Sequence, residues 1–343
     1  MTGPSFAHLI RLSDDTGLYE HADGPLPRRE HGYCLDDVAR GLVVLCREPE
    51  PSAELIVLVE RCLAFTAHAQ ANGGRFHNRL GPDREWHDEP GLGDWWGRAL
   101  WGLGTAAARC PVPWIRRAAL ACFDRSAHHR PSSVRAMSFA ALGAAEVLAV
   151  DADHALAAKL LGDVSSYVGE PGDAPDWPWP EHRLFYANAV LPEALIAAGD
   201  LLDDPQIRQD GLRLLDWLLT VESREARLSP TPAGGWRIGE PRPAFDQQPI
   251  EVAALADACA RAHRATGDLR WQAGVRHAIA WFNGANDLSV PMHDEETGGG
   301  YDGLTADGPN LNQGAESTLA LISTLQHGRT QATSGNTPQR TSE

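Results

Sequence analysis

The chain has 343 residues, 43% of them hydrophobic, enough to bury a large core in one domain or two. A formal net charge of −16 without any Lys/Arg cluster excludes the basic surface that phosphate-backbone binding requires, so nucleic acid is not an expected partner. With no N-terminal signal pattern and no apolar run near the roughly 20 residues that span a bilayer, the expectation is a soluble cytoplasmic protein without membrane contact.

In chain order, the first periodic segment is "PSFAHLIRLSD" from Pro4. Six further runs then resemble one another, namely "LDDVARGLVVLC" from Leu35, "GDWWGRALWGLGTAAA" from Gly93, "SSVRAMSFAALGAAEVLA" from Ser132, "NAVLPEALIAAGDLL" from Asn188, "QQPIEVAALADACARA" from Gln247 and "NQGAESTLALISTL" from Asn312. Each opens with polar, charged or aromatic residues and then becomes small and apolar all round, as a helix enclosed by other helices must be. Between them lie "SAELIVLVERCLAFTAHAQ", "PWIRRAALACFDR", "DHALAAKLLGDVSSYV", "DPQIRQDGLRLLDWLL" and "DLRWQAGVRHAIAWF", whose apolar residues recur every three or four positions opposite a charged face. These read as outer helices with one wet side. The N-terminal segment fills the sixth outer position, beside the last inner helix.

Inner and outer helices alternating six times predict an all-α (α/α)6 barrel, one domain over residues 1–328, with a disordered Thr/Ser/Gln-rich tail over 329–343. The loops entering the inner helices are long and aromatic, and short β-hairpins are expected there around "GGRFHNRL" and "GGWRIG". The opposite loops are short, so the elaborated end should carry the site.

Six parallel helix starts would gather their polar residues around one cavity at that end. Asp36 and Asp37 begin the first inner helix and Asp94 the second. Asp246, Gln247, Gln248 and Glu251 begin the fifth, and Asn312, Gln313 and Glu316 the sixth. One acid at a helix start is an ordinary cap. A ring of acids and amides with tryptophans around it suits carbohydrate, which stacks on indole and fills its hydroxyls from Asp, Asn, Gln and Arg. Asp36 is the better candidate for a cap and Asp37 for the cavity. Trp95, Trp96, Arg98, Glu181, Tyr186, Asn188, Tyr301 and Asp302 complete the expected substrate contacts, with Trp86, Trp177, Trp179 and Trp236 as further platforms. Trp101, Trp217, Trp271 and Trp281 read as core, and Arg98 is placed to pair with Asp94 one turn earlier.

"HGYCLDDVARGL", "DWWGRALWGLG", "FDQQPIEVAALADA" and "GGGYDGL…NLNQGAESTLALI" together resemble a bacterial family of six-hairpin glycosidase-like proteins, over residues 5 to 327. The family is often found with glycosyltransferases or mannoside phosphorylases. The resemblance implies an oligosaccharide or glycan substrate, a mannoside among the candidates, and a functional association with a glycosyltransferase. A transferase label sits poorly with a chain that lacks the alternating strands and helices of a nucleotide-sugar fold.

Glycoside hydrolysis needs two carboxyls, one to protonate the leaving oxygen and one to activate water or attack. The second and fifth inner helices face each other in a ring of six, so Asp94 across from Asp246 and Glu251 suits an inverting hydrolase or a phosphorylase. Asp37 and Glu316, on neighbouring helices, form a second candidate pair. The alternatives are an epimerase or isomerase using loop histidines (His31, His77, His87, His182, His293) and a non-catalytic glycan-binding partner. No cofactor or metal is called for, since the acidic "PMHDEETGGGYDG" lacks the alternating ligands of a calcium loop. The six cysteines, without C-x-x-C spacing, read as buried thiols, Cys34 alone being placed to line a pocket.

Overall fold

Twelve helices occur among residues 3–225 and 227–334, the part of the chain that the computed structural model describes. They are α1 (Ala7–Arg11), α2 (Leu35–Arg47), α3 (Ala53–Ala69), α4 (Asp94–Arg109), α5 (Pro113–Ser126), α6 (Val134–Leu148), α7 (Ala155–Val168), α8 (Val190–Leu201), α9 (Pro205–Val221), α10 (Pro249–Thr266), α11 (Leu269–Phe282) and α12 (Ala315–Ser334). The even-numbered helices are the six expected inner runs, each packed on the next, with α12 returning to α2 to close the ring. Outside them α3, α5, α7, α9 and α11 each pack on the inner helix that precedes them. The all-α (α/α)6 barrel follows from the periodicity.

The sixth outer position is filled by α1, a helix of only five residues that packs on α12. His8 anchors it from within, its Nε2 2.8 Å from the Gln313 carbonyl. The last helix runs to Ser334, beyond the expected boundary at 328, and the rest of the expected tail, 335–343, lies outside the described residues.

Outer helices start on their own side chains. Ser52, His154, Asp204 and Asp268 accept backbone N–H groups at the starts of α3, α7, α9 and α11, and Pro113 opens α5. The N-cap residues of α2, α4, α8 and α10 do no such work, so these inner helices depend on residues from elsewhere to finish their first turns.

Glycine sets how closely one side of the ring packs. A Cβ at Gly97 or Gly104 of α4 would stand 2.2 Å from the carbonyl of Ala136 or Gly143 on α6, and one at Gly102 would stand 2.7 Å from the Ala39 carbonyl on α2. Backbones of α2, α4 and α6 therefore meet almost directly, without intervening side chains. Around this ring the largest fully buried side chains include Trp96, Trp271, Trp281, Phe76 and Phe123.

Four two-stranded sheets decorate the barrel: β1 (Ala22–Asp23) with β2 (Leu26–Pro27), β3 (Tyr33–Cys34) with β4 (Arg79–Leu80), β5 (Ser223–Arg224) with β6 (Arg227–Leu228), and β7 (Gly303–Thr305) with β8 (Gly308–Asn310). The hairpin expected around "GGRFHNRL" is replaced by scattered bridges, Gln70 opposite Phe76, Phe76 opposite Gly91 and Leu80 opposite Trp86, while Arg79 and Leu80 also pair with the remote β3. Trp236 of "GGWRIG" likewise bridges to Leu184 of another loop. Loops crowded at one end satisfy their backbones on each other.

Along the axis, lining residues advance in step on four of the inner helices: Arg40, Val43 and Val44 on α2; Arg98 and Trp101 on α4; Ile250, Ala253 and Asp257 on α10; Glu316, Leu319 and Ser323 on α12. Such a progression requires parallel helices with their N-termini at one end, here called the mouth. The opposite end is the base. Trp101, expected in the core, faces this axis.

Candidate active site

The mouth is assembled by strand pairing as much as by helices. Tyr33 lies opposite Leu80 and Cys34 opposite Arg79, which brings Asn78 to the start of α2. The Leu35 N–H donates to the Asn78 carbonyl at 2.9 Å, and the Asn78 side-chain oxygen accepts the Asp36 N–H at 3.3 Å and the Cys34 thiol at 3.4 Å. Asn78 thus does the capping. The two aspartates are free for something else. Glu20 is fixed through its backbone, its N–H donating to Gly32 and its carbonyl accepting from Ala315 of α12, while its carboxylate pairs with Arg79.

Together these elements enclose a polar cavity of about 370 Å³, lined by Glu20, His21, Cys34, Asp36, Asp37, Arg40, Asn78, Arg79, Asp302, Gly314, Glu316 and Ser317. Five carboxyl groups there share two guanidinium groups. Arg40 is the hub: it contacts Asp37 at 2.9 Å and Glu316 at 2.7 Å and also pairs with Asp36, which Arg98 holds from below at 2.9 Å. Carboxylate oxygens of Asp36, Asp37 and Glu316 all lie within 4.8 Å of one another, the one grouping here that could hold a metal besides Glu20, Cys34 and Asp37. Arg40 supplies the positive charge on which the first of these groups converges.

The carboxyls are not equivalent. Asp37 is 4% exposed, and burial pushes its pKa up to about 8, the pull of Arg40 being outweighed by burial together with repulsion from Glu316 and Asp36. Glu316, by contrast, keeps 43% of its side chain in solvent. A protonated acid therefore stands beside a hydrated carboxylate. The Cys34 thiol is pushed well above its usual range by burial and by Asp37, which makes it a hydrogen-bond donor and not a nucleophile. Asp302 is tied down, accepting from the Gly314 N–H at 2.8 Å and the Ser317 hydroxyl at 2.6 Å.

Below the Arg40–Arg98 layer the axis narrows to an apolar cavity of about 50 Å³ among Val43, Trp101, Phe139, Val190, Ile250 and Leu319. Arg98 roofs it, its guanidinium 4.0 Å from the Phe139 ring centroid. The expected Arg98–Asp94 pair does not form; Arg98 crosses to Asp36 on the neighbouring helix.

Of the expected site residues, Asp36, Asp37, Asp302 and Glu316 line the mouth cavity and Arg98 lies under it. The others are placed elsewhere. Asp94 accepts from the Ser133 hydroxyl at 2.9 Å, tying α4 to the cap of α6. Asp246 is exposed in the loop before α10. Glu251 is buried and accepts the backbone N–H groups of Ala187 and Asn188, completing the approach to α8, and burial with the nearby Glu222 raises its pKa to about 8. The facing pair of Asp94 with Asp246 or Glu251 is therefore not assembled around this cavity.

Gln247 and Gln313 are buried away from the mouth cavity. Gln247 contacts Asp287, the Ala244 carbonyl at 2.8 Å and the Trp281 indole N–H at 3.0 Å; Gln313 contacts Thr297 at 2.7 Å and Asp294 at 3.2 Å. Gln248 is the N-cap residue of α10 but makes no side-chain cap bond, and the Asn312 side chain accepts from Gly24 N–H at 3.1 Å. Glu181 forms a two-point ion pair with Arg135 at 2.8 and 2.9 Å, while the Tyr186 carbonyl accepts from Arg135 at 2.6 Å and the Asn188 side chain accepts from Phe185 N–H at 3.0 Å. These residues staple loops.

The aromatic platforms are also largely structural. Trp96 is fully buried, and Trp95 donates to the Phe76 carbonyl at 2.9 Å. Trp86 stacks on His77, and Trp177 packs against Trp217 and Trp236. Tyr301 is half-buried, and neither it nor any of these tryptophans lines the mouth cavity. Glu20, His21, Arg40, Asn78 and Arg79 were not anticipated. Only Arg40 carried a legible signal, standing three and four residues after the two aspartates.

No family model and no curated protein matches the chain. Solved structures do match it along nearly its whole length. A sugar epimerase from a ruminal bacterium superposes with TM-score 0.70 at 12% identity, covering 94% of this chain and 95% of its own. The cellobiose 2-epimerase of Bacillus thermoamylovorans gives 0.71 at 11%, covering 95% and 96%, and the GH76 α-mannanase of Bacteroides thetaiotaomicron gives 0.66 at 10%, covering 96% and 94%. At such identities the likeness is one of fold: these proteins share the six-hairpin toroid.

Proposed function

We propose that this protein is a carbohydrate-active enzyme, a glycoside hydrolase that removes a terminal unit from a neutral oligosaccharide. The observation that carries the reading is the buried, protonated Asp37 beside the hydrated carboxylate of Glu316 in a blind polar cavity. A volume of about 370 Å³ lies in the small-ligand range, and the narrow apolar axis beneath leaves room for the end of a chain, not its middle. Asp37 is the proton donor to the leaving oxygen, and Glu316 the base or nucleophile. Carboxylate oxygens within 4.8 Å suit direct attack and retention better than a water held between distant groups, which shifts the expected outcome away from inversion. Five carboxyls around the cavity also oppose binding of inorganic phosphate, which weighs against phosphorolysis. That an α-mannanase shares the fold is in keeping with this reading.

A second reading, epimerisation, is favoured by one observation: His21 lines the same cavity, 3.7 Å from Glu20, and two of the similar structures are epimerases. One experiment separates the two. Manno-, gluco- and galacto-oligosaccharides are incubated with the protein in heavy water, with and without phosphate, and products are followed by NMR. Release of a terminal sugar with retained anomeric configuration is the expected result. Deuterium at C2 without bond cleavage moves the assignment to epimerisation.

A further inference from the structure

The apolar chamber on the axis, of about 50 Å³, adjoins the mouth cavity directly, with Arg40 and Glu316 in the walls of both. It lies one turn deeper. Leu319 follows Glu316 by three residues of α12, an advance of about 4.5 Å, comparable with the span of a pyranose ring. In a blind cavity that takes the end of a sugar chain, the leaving group at C1 faces solvent. The far side of the ring, C4 and C5 with the C6 substituent, then faces this chamber.

Val43, Trp101, Phe139, Val190, Ile250 and Leu319 form the sides of the chamber. The polar groups at its rim and floor already have partners: Arg40 is held by Asp37 and Glu316, Arg98 by Asp36, Glu193 by Arg261, and Asp257 by Arg47 and His327. A C6 hydroxyl placed there would lose its water or have to break one of these pairs, whereas a methyl group gains by leaving water. Size agrees with chemistry. About 50 Å³ exceeds the ~10–15 Å³ that one water needs and falls well short of the ~150 Å³ apolar cavity that holds a benzene ring, so it admits a methyl group and no ring. Resting on the hydrolase reading above, we propose that the terminal unit removed is a 6-deoxyhexose, seated with its methyl group in the axial chamber and its ring hydroxyls in the polar mouth.

The test uses sugars in matched pairs that differ only at C6: 6-deoxymannose with mannose, 6-deoxyglucose with glucose and 6-deoxygalactose with galactose, in the D and L series. Methyl glycosides of each are titrated calorimetrically into the full-length protein, and disaccharides ending in each are assayed for cleavage. In at least one pair the 6-deoxy member should bind about tenfold or more tightly, with kcat/KM shifted the same way. Ala253→Leu, which fills the chamber from α10, should abolish the preference by weakening the 6-deoxy member. Val43→Thr, of nearly the same volume, should narrow it by offering the C6 hydroxyl a partner. Equal affinity within every pair, or a preference that survives both variants, overturns the inference and leaves the hydrolase reading standing. Tighter binding of 6-deoxy sugars without cleavage of any disaccharide supports the chamber and removes the hydrolase reading, and no saturable binding by any sugar removes both.

Discussion

The two ends of the barrel axis use the same residue types to opposite effect. At the base, carboxylates and arginines are matched almost one to one: burial alone would raise Asp257 and Glu146, but Arg47 with His327, and Arg109, more than offset it and hold both below the usual carboxylate range. At the mouth, Asp36, Asp37 and Glu316 share the single hub Arg40, and burial together with the excess of carboxyls raises the pKa of Asp37 to about 8. Matched charges lock neighbouring helices, whereas a shortage of cations produces an acid that can give its proton away. Burial still raises Glu193 despite Arg261, and Glu251 in its loop staple, so the supply of cations and the depth of burial act together.

The sharpest way to break this contrast is to neutralise one carboxyl at each end. Asp37→Asn should lower turnover on a verified substrate by roughly 100-fold or more, the usual scale of acid–base catalysis, while the melting temperature holds or rises, because the amide replaces a carboxyl that is already neutral. Asp94→Asn and Glu251→Gln, which lie off the cavity, should stay within a few-fold of the parent. If Asp37→Asn remains fully active and either of the others does not, the mouth has been misassigned.

At the base the same exchange should act on stability. Asp257→Asn strands Arg47 and His327 without their counter-charge, and breaking such a buried pair costs about 3–5 kcal/mol. Chemical denaturation would register this as an earlier midpoint, with activity below that midpoint preserved.

The most gradual effect is the pH dependence. An unfolded aspartate titrates near 3.9, so with a folded value of about 8 the native state holds the extra proton in between, and its contribution to stability is full below about pH 4 and lost as pH rises to about 8. Glu251, also raised to about 8, has the same sign. Asp257, lowered in the fold, has the opposite sign and loses its contribution only as the solution becomes more acidic than about pH 4. Melting temperature should thus decline from about pH 5 to pH 9. Asp37→Asn should flatten part of that decline; an unchanged slope would mean that Asp37 is ionised in the native protein.

The architecture was legible because enclosure leaves a compositional mark. A helix packed on all sides by others, such as Ser132 to Leu148, is mostly small and apolar, with Arg135 and Glu146 as charged exceptions near its two ends, while the outer "DPQIRQDGLRLLDWLL" must alternate. Part of the mouth was legible for a related reason, since Asp36, Asp37 and Glu316 sit at the starts of enclosed helices, where polar groups need an outlet. Glu20, Asn78 and Arg79 left no such mark. They reach the mouth through pairings between remote segments, Tyr33 with Leu80 and Ala315 with Glu20, and no local spacing encodes those contacts.

The sequence by itself determined the number and order of the hairpins, the end at which loops are elaborated and the placing of two acids at the first helix start. Which of the polar starts face the axis was decided only by the tertiary structure. A helix turns by about 100° per residue, so its rotation, fixed for α4 by the backbone contacts at Gly97, Gly102 and Gly104, decides where Asp94 and Arg98 point. Asp94 was turned to the Ser133 cap and Arg98 to Asp36. The raised pKa of Asp37 arose in the same way, since the fold buries its side chain to 5% exposure and leaves it to share one arginine with Asp36 and Glu316.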